Sequence, residues 1–173
     1  MDRADASFRI DSYKFLPRSM IPEFKAFPYQ ADDLVTASPL VSLKSAKVAL
    51  LTSGGLYLKD RQSSFDLDRE RHEPFWGDPT YRLIPRDVRH GEIAVAHLHL
   101  NPDDILADFN VALPLEVFVE LEREGGIGSL AQSNYSFMGY QGRSAGAWYD
   151  TYGPELAERL KEDAVNFLIL APT

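Results

Sequence analysis

The stretch Lys47-Val-Ala-Leu-Leu-Thr-Ser-Gly-Gly55 carries the clearest structural signal in the chain. A short apolar run that ends in a serine and two glycines predicts a buried parallel strand followed by a tight turn. Apolar runs at residues 92–100 and 165–170 predict two further strands of the same kind. We therefore expect a sheet whose central strands are buried.

Helix-type patterns separate these runs. Residues 114–124 and 150–163 place apolar side chains on one face, which predicts two amphipathic helices. Asn101, followed by a proline and two acids, predicts the start of a shorter helix. Residues 56–90 show no period and are interpreted as a long loop, with one short strand near residues 81–84.

The order of these elements, with a weaker strand at 127–138, predicts an α/β fold. Specifically, we expect a three-layer, largely parallel sheet with helices on both faces, formed by residues 46–173. Residues 1–45 are rich in proline and aromatic side chains. They predict an arm that packs on the domain or on a neighbouring chain, because a free tail would be poor in aromatics.

Composition excludes several function classes. The 173 residues carry a formal net charge of −8, so the basic footprint of a protein that binds nucleic acid or an anionic membrane is missing. The chain has no cysteine, which excludes disulfides, thiolate metal sites and a cysteine nucleophile within it. Its apolar runs fall short of the ~20 residues that span a bilayer, and its start lacks an apolar signal core. We expect a cytoplasmic protein.

Ligands of open α/β sheets bind outside the carboxyl ends of the strands. Ser53, Gly54 and Gly55 lie at that edge and are candidates for substrate binding, since glycine lets backbone N–H groups approach an anion. The same residues also fit a plain strand-to-loop turn. Lys59 is a candidate contact for an anionic substrate or partner, or else a solvated surface lysine. Asn110 is a further candidate for substrate contact, although it also fits a capping residue.

Two histidines follow the second apolar run. His97 and His99 lie two positions apart, so on a strand they would point to the same face. A neutral His97 is the candidate catalytic residue, as a hydrogen-bond donor or acid–base group. One alternative is a metal site on His97, His99 and Asp104, because two imidazoles and a carboxylate suffice to hold a metal. The other is that the histidines are structural.

Ten short motifs, taken in order, resemble one family. They are Thr52-Ser-Gly-Gly-Leu-Tyr-Leu-Lys59, Phe65-Asp66, Gly77-Asp-Pro-Thr-Tyr-Arg82, Ile84-Pro85, Ala96-His97, Asp108-Phe-Asn110, Leu113-Pro114, Ile127-Gly-Ser-Leu-Ala131, Phe137-Met-Gly139 and Gly153-Pro-Glu155. The family is the selenoprotein B component of glycine/sarcosine/betaine reductase together with the small subunit of D-proline reductase. The resemblance covers roughly residues 47–170.

This resemblance implies reductive cleavage of a C–N bond in a small amino-acid-derived substrate. In the family, a selenocysteine or cysteine placed directly after the strand matching residues 165–170 is the nucleophile. A carbonyl (pyruvoyl) cofactor of a partner subunit activates the amine, so no cofactor is expected in this chain itself. The resemblance also implies a homo-oligomer or a larger reductase assembly.

The sequence departs from the family pattern at the redox residue. Leu170-Ala-Pro-Thr173 stands where the redox motif would start, and Tyr57 and Asn134 replace two family histidines. We therefore expect the chain to be inactive alone. It is either truncated at a selenocysteine codon or naturally short, and in the second case it is a non-catalytic, partner-dependent subunit or a module that binds amino-acid derivatives.

Overall fold

The computed structural model describes residues 18–19, 21–22, 40–73, 76–142 and 145–173. The chain divides into two units, Met1–Ser38 and Pro39–Thr173, and the second contains every element described below. The predicted arm over residues 1–45 lies largely outside the described residues.

The described part of the second unit alternates strands and short helices. The strands are β1 Lys47–Thr52, β2 Leu56–Leu58, β3 Tyr81–Pro85, β4 Ile93–Val95, β5 Ser129–Leu130, β6 Ser133–Phe137 and β7 Phe167–Ala171. The helices are α1 Leu67–His72, α2 Pro102–Ala107, α3 Leu115–Arg123 and α4 Gly153–Glu162. Short 3-10 turns lie at Leu43–Ser45, His90–Glu92 and Phe109–Val111, while Ala145–Ala147 and a π-helical turn, Trp148–Tyr152, lead into α4. Within these ranges, no helix has the length and apolar character needed to cross a bilayer.

The main sheet is mixed and has β1 at its centre. β1 is parallel to β5, β6 and β7. β3 closes one edge by pairing antiparallel with β6, and β7 pairs with the other side of β1 along its length. The predicted α/β class is confirmed. The three-layer arrangement with helices on both faces stays a prediction.

The second apolar run, residues 92–100, was wrongly predicted as one strand of the parallel sheet. Only β4 is extended, and it pairs antiparallel with β2 in a separate two-stranded ribbon. The cause is the turn at Gly55, whose φ of 65° sends the chain back from the end of β1 into β2. β2 itself falls in the segment predicted as a loop, because three residues are too short to show a period.

The core lies on both sides of β1, as strand alternation requires. Val48 and Leu50 pack into a cluster with Phe109 and other buried side chains of α2, α3 and the ribbon. Leu51 points the other way, into a cluster with Leu156 of α4. The predicted helices at 114–124 and 150–163 are confirmed as α3 and α4, and each buries its apolar face against the sheet.

β1 changes partners halfway along, and Asn134 bridges the change. The start of β1 pairs with β5 and its end with β6. Between them, the backbone N–H of Leu50 donates to Asn134 Oδ1 at 2.9 Å, in a fully buried position. A buried N–H without an acceptor would destabilise the fold, so this amide stands in for a missing strand bond.

Candidate functional site

The carboxyl ends of β1, β6 and β7 meet, as the sheet edge predicts. A Cβ placed on Gly139, just past β6, would lie 3.3 Å from the Ser53 carbonyl oxygen and 3.4 Å from His97 Nε2. The backbone N–H of Thr173, just past β7, donates to Ser53 Oγ at 2.9 Å. We call Ser53, His97, Gly139 and Thr173 the carboxyl-edge site.

His97 enters this site as a neutral hydrogen-bond donor. The backbone N–H of His99 donates to His97 Nδ1 at 3.1 Å, so Nδ1 is the acceptor nitrogen and the ring proton sits on Nε2. Burial lowers the pKa of His97 below its usual value, and the charge of His99 lowers it further. The imidazole thus presents Nε2–H towards Gly139.

The expectation that His97 and His99 share a strand face is wrong. Both residues follow β4 in a bent segment. Their rings meet edge to face, with centroids 6.1 Å apart. His97 is half-buried, whereas the His99 side chain is 68% exposed. A chain that bends after β4 allows this division, which alternation on a strand would not.

The glycine turn is tightly packed. Gly54 and Gly55 are both buried. Gly55 has a φ of 65°, and a Cβ there would lie 2.2 Å from the carbonyl oxygen of Ala96. Ala96 N–H in turn donates to the Gly55 carbonyl at 2.8 Å, which ties the turn to the residue before His97. Glycine is therefore required here by backbone geometry and by the close approach of the ribbon.

The N–H groups of this turn already have internal acceptors. Ser53 N–H donates to the Ala171 carbonyl at 3.4 Å, and Gly55 N–H to the Phe137 carbonyl at 3.1 Å. Gly54 N–H donates to Thr52 Oγ1 at 3.1 Å. A substrate anion at the turn would compete with these bonds, so binding of substrate by Ser53, Gly54 and Gly55 stays a prediction.

Lys59 and Asn110 lie apart from these contacts. Lys59 is exposed at the far end of β2, where its N–H donates to the Glu92 carbonyl at 2.8 Å. Asn110 Oδ1 accepts the Glu116 N–H at 3.0 Å, at the start of α3, and its amide donates to Asp108 and Glu116. These contacts give Asn110 a capping role, and its predicted role in substrate binding is untested.

The described residues do not bring His97, His99 and Asp104 together as metal ligands. The one trio among them with ligating atoms all within 4.8 Å of one another is His90, Asp108 and Glu116. Asp108 already accepts the N–H and amide of Asn110 there. Within the described residues, the geometry therefore does not support a metal site on His97, His99 and Asp104.

Glu70 is a buried acid that the sequence did not predict as a site residue. It lies on α1, is 4% exposed, and its Oε1 has no hydrogen-bond partner in the residues that the structure describes. Burial raises the pKa of Glu70, and the nearby charges of His99 and Arg71 oppose the shift. A glutamate in a polar six-residue helix gives no sign in the sequence that it is buried.

Tyr57 and Asn134, the two positions expected to depart from the family pattern, make structural contacts. Tyr57 is partly buried against Phe65, Ala96 and Met138. Asn134 bridges the strand change described above. Packing accounts for Tyr57 and a backbone hydrogen bond accounts for Asn134, and His97 is the half-buried histidine of the carboxyl-edge site.

The chain is similar to subunits of several known reductases. A family model described as glycine/sarcosine/betaine reductase selenoprotein B matches residues 20–173. D-proline reductase subunit gamma of Acetoanaerobium sticklandii is 34% identical over 128 residues, which cover 74% of this chain and 49% of that protein. Glycine reductase complex component B subunit gamma of Symbiobacterium thermophilum is 34% identical over 154 residues, covering 88% and 34%.

A third relative is also a reductase subunit. Sarcosine reductase complex component B subunit beta of Peptoclostridium acidaminophilum is 28% identical over 148 residues, covering 85% of this chain and 33% of that protein. The chain thus spans between a third and a half of the length of these curated relatives. No solved structure matches.

Proposed function

The chain belongs to the glycine/sarcosine/betaine reductase selenoprotein B family, and from this premise we propose that it is part of a reductase that cleaves the C–N bond of a small amino-acid-derived substrate. The relatives are named as subunits of D-proline, glycine and sarcosine reductases. The substrate expected here is of that class, a small amine that also carries a carboxylate. Because the chain has no cysteine, the nucleophile would come from polypeptide outside residues 1–173.

The junction of β7 with the glycine turn is the observation that supports this proposal. Thr173 is bonded to Ser53, and the hydroxyls of Thr52 and Thr173 lie 3.1 Å apart. Ser53 and His97 both lie against Gly139. Thr173 and the half-buried imidazole of His97 thus lie on the same edge of the sheet as Ser53, and a redox residue that followed β7, as the family resemblance implies, would start from this edge.

His97 would hold the substrate rather than ionise. Its Nε2–H faces the site, and burial keeps the ring neutral because the pKa of His97 is lowered. A neutral donor suits a substrate carboxylate or carbonyl oxygen, which then stays oriented without a proton transfer. Gly139, which is exposed beside the imidazole, leaves room for such an oxygen.

The chemistry that the chain lacks would be supplied in two parts. A selenolate or thiolate is a strong nucleophile at neutral pH, and a dithiol oxidised to a disulfide balances the two electrons and two protons that a reductive C–N cleavage consumes. A carbonyl (pyruvoyl) group on a partner subunit would activate the amine. An assembly of more than one chain, either a homo-oligomer or a larger reductase, is part of this proposal.

The test is an assay of the complete assembly, expressed from the gene with its natural downstream sequence and partner genes. Dithiol-dependent loss of glycine, sarcosine, betaine or D-proline is measured for the wild type, His97→Gln and His72→Gln. We expect reduction of one of the four substrates and a higher KM for His97→Gln. His72, an exposed residue of α1, is the matched control and should leave the kinetics unchanged.

Two other results would contradict the proposal. A complete assembly without dithiol-dependent cleavage of any of the four compounds would argue for a non-catalytic subunit. A thermal shift of the chain alone with one of them, in the absence of turnover by the assembly, would favour a module that binds amino-acid derivatives. Sequencing past codon 173 adds a direct check, because a following stretch without selenocysteine or cysteine leaves the nucleophile to a partner.

A further inference from the structure

Glu70 is a buried carboxylate that the proposed function does not yet use. Its side chain is 4% exposed, and Oε1 lacks a hydrogen-bond partner within the described residues. Buried polar atoms without partners are rare in folded proteins because desolvation is unfavourable. An unpartnered oxygen on a buried acid therefore indicates a group that is kept for a purpose other than stability.

That oxygen faces His99. Glu70 Oε1 lies 3.9 Å from His99 Nε2, somewhat longer than a hydrogen bond. The His99 side chain is 68% exposed, and no hydrogen bond to the described residues holds its Nδ1. The backbone of the same residue fixes His97 through Nδ1. A buried carboxylate near one nitrogen of a mostly exposed imidazole is an arrangement in which the carboxylate can orient the ring for proton transfer.

We propose that Glu70 and His99 form a carboxylate–imidazole pair that is the general acid of the C–N cleavage, an inference that rests on the function proposed above. His99 contacts the substrate through Nδ1, and Glu70 is a positioning residue that acts through Nε2. His97 remains the neutral donor that orients the substrate. The site then has two histidines with different tasks, set by the difference in their burial.

The proton balance of the step is simple. As the C–N bond of a neutral primary or secondary amine breaks, its electron pair goes to nitrogen, which takes the proton of His99 Nδ1. The carbon forms its new bond to the selenolate or thiolate. The imidazolium thus becomes neutral imidazole, the anionic nucleophile becomes a neutral thioether or selenoether, and the amine leaves uncharged. Solvent at the exposed ring returns the proton.

Burial and nearby charges set the ionisation of Glu70. Burial has the largest effect and raises the pKa of Glu70; His99 and Arg71 partly oppose the rise, and Asp78 adds to it. His99 also lowers the pKa of His97. A protonated His99 therefore favours both an ionised Glu70 and a neutral His97, which are the states that the two residues need.

Kinetics of the complete assembly test the pair. We expect His99→Gln to lower kcat by about 10²-fold, the usual contribution of a general acid, with little change in KM. Glu70→Gln should lower kcat at least several-fold and shift its pH profile. The double variant should be no slower than His99→Gln, since Glu70 acts only through His99. His72→Gln, on the same helix as Glu70, is the control.

Titration of the chain alone separates the pair from the proposed function. In NMR titrations, His99→Gln should raise the pKa of both His97 and Glu70, because it removes a positive neighbour of each. Unchanged values would overturn the pair. A wild-type assembly that cleaves no substrate overturns the proposed function itself. An active wild type with unimpaired Glu70→Gln and His99→Gln variants, or with additive losses in the double variant, overturns only the pair.

Discussion

The backbone N–H of Thr173 donates to the hydroxyl of Ser53, 2.9 Å away, so the last strand of the described chain ends at the turn that follows the first. Parallel pairing of β7 with β1 produces this meeting, because it brings the carboxyl ends of both strands to one edge. His97 reaches the same edge through the ribbon, which is anchored by the contact between Gly55 and Ala96.

Gly55→Ala should destabilise the domain far more than Gly125→Ala. Both glycines have positive φ, 65° and 73°, so both variants share the conformational penalty. Only at Gly55 would the new Cβ meet backbone, 2.2 Å from the Ala96 carbonyl oxygen, while nothing lies within 4 Å of it at Gly125. Thermal unfolding of the two variants measures the difference, and equal losses would show that the ribbon does not pack on the turn.

Asn134→Leu should lower the free energy of unfolding by about 1–3 kcal/mol, because the buried N–H of Leu50 loses its acceptor. Asn166 makes the same kind of bond, from Lys47 N–H to its Oδ1 at 2.8 Å, at an exposed position. Water can replace that acceptor, so Asn166→Leu should be nearly neutral. Urea unfolding compares them, and a cost of Asn166→Leu as large as that of Asn134→Leu would rule out the bridging role.

Glu70→Gln should stabilise the domain at neutral pH by about 2–4 °C in Tm, as expected for ~1 kcal/mol. The folded-state pKa of Glu70 is raised above the ordinary 4.5 by burial. Below about pH 4.5 the carboxyl is protonated in both the folded and the unfolded protein, so Glu70 does not destabilise the fold. The destabilisation develops as the pH rises through the folded-state pKa, because the buried carboxyl must then ionise. The difference in Tm between Glu70→Gln and the wild type should therefore grow as the pH rises from 4 to 8. A difference that does not change with pH would contradict a buried ionised carboxylate.

Glu122→Gln should destabilise the domain by about 1–2 kcal/mol at pH 7, through a charge-assisted contact with β5. Glu122 Oε2 accepts the Leu130 N–H at 3.0 Å and lies 2.6 Å from Arg86 Nη2. These partners lower the pKa of Glu122, so its contribution is present above pH 4.5 and is lost as pH falls through the folded value. Glu120→Gln, at an exposed ion pair with Arg123, is the control and should have a small effect at any pH.

The sequence predicted the elements that carry their own pattern. β1, α3 and β7 are long enough to show an apolar run or a helical face, and the end of β1 placed Ser53 at the carboxyl edge of the sheet. His97 reaches that edge through the ribbon, although the run that carries it was wrongly predicted as a strand of the main sheet. β2 and α1 were missed because tertiary contacts form them, such as the burial of Leu56 and Leu58 in the core.

The same reason explains the missed parts of the site. Glu122 is a polar residue of an amphipathic helix, and nothing in the sequence indicates that its carboxylate binds Leu130 N–H and Arg86. The burial of Glu70 depends on packing across the segment that holds His99, which no local pattern encodes. Periodicity finds elements, whereas buried charges are found only once the elements are packed.

The most direct measurement is disulfide formation between cysteines placed at Thr52 and Thr173, whose hydroxyl oxygens lie 3.1 Å apart. The chain has no cysteine of its own, so the double variant can form one intramolecular bond and no other. If the end of β7 lies at the glycine turn beside His97, mild oxidation should crosslink Thr52→Cys/Thr173→Cys rapidly and leave Lys59→Cys/Thr173→Cys reduced. Failure of the first pair to crosslink in the folded protein, or equal crosslinking of both, would contradict the carboxyl-edge site and the reductase assignment built on it.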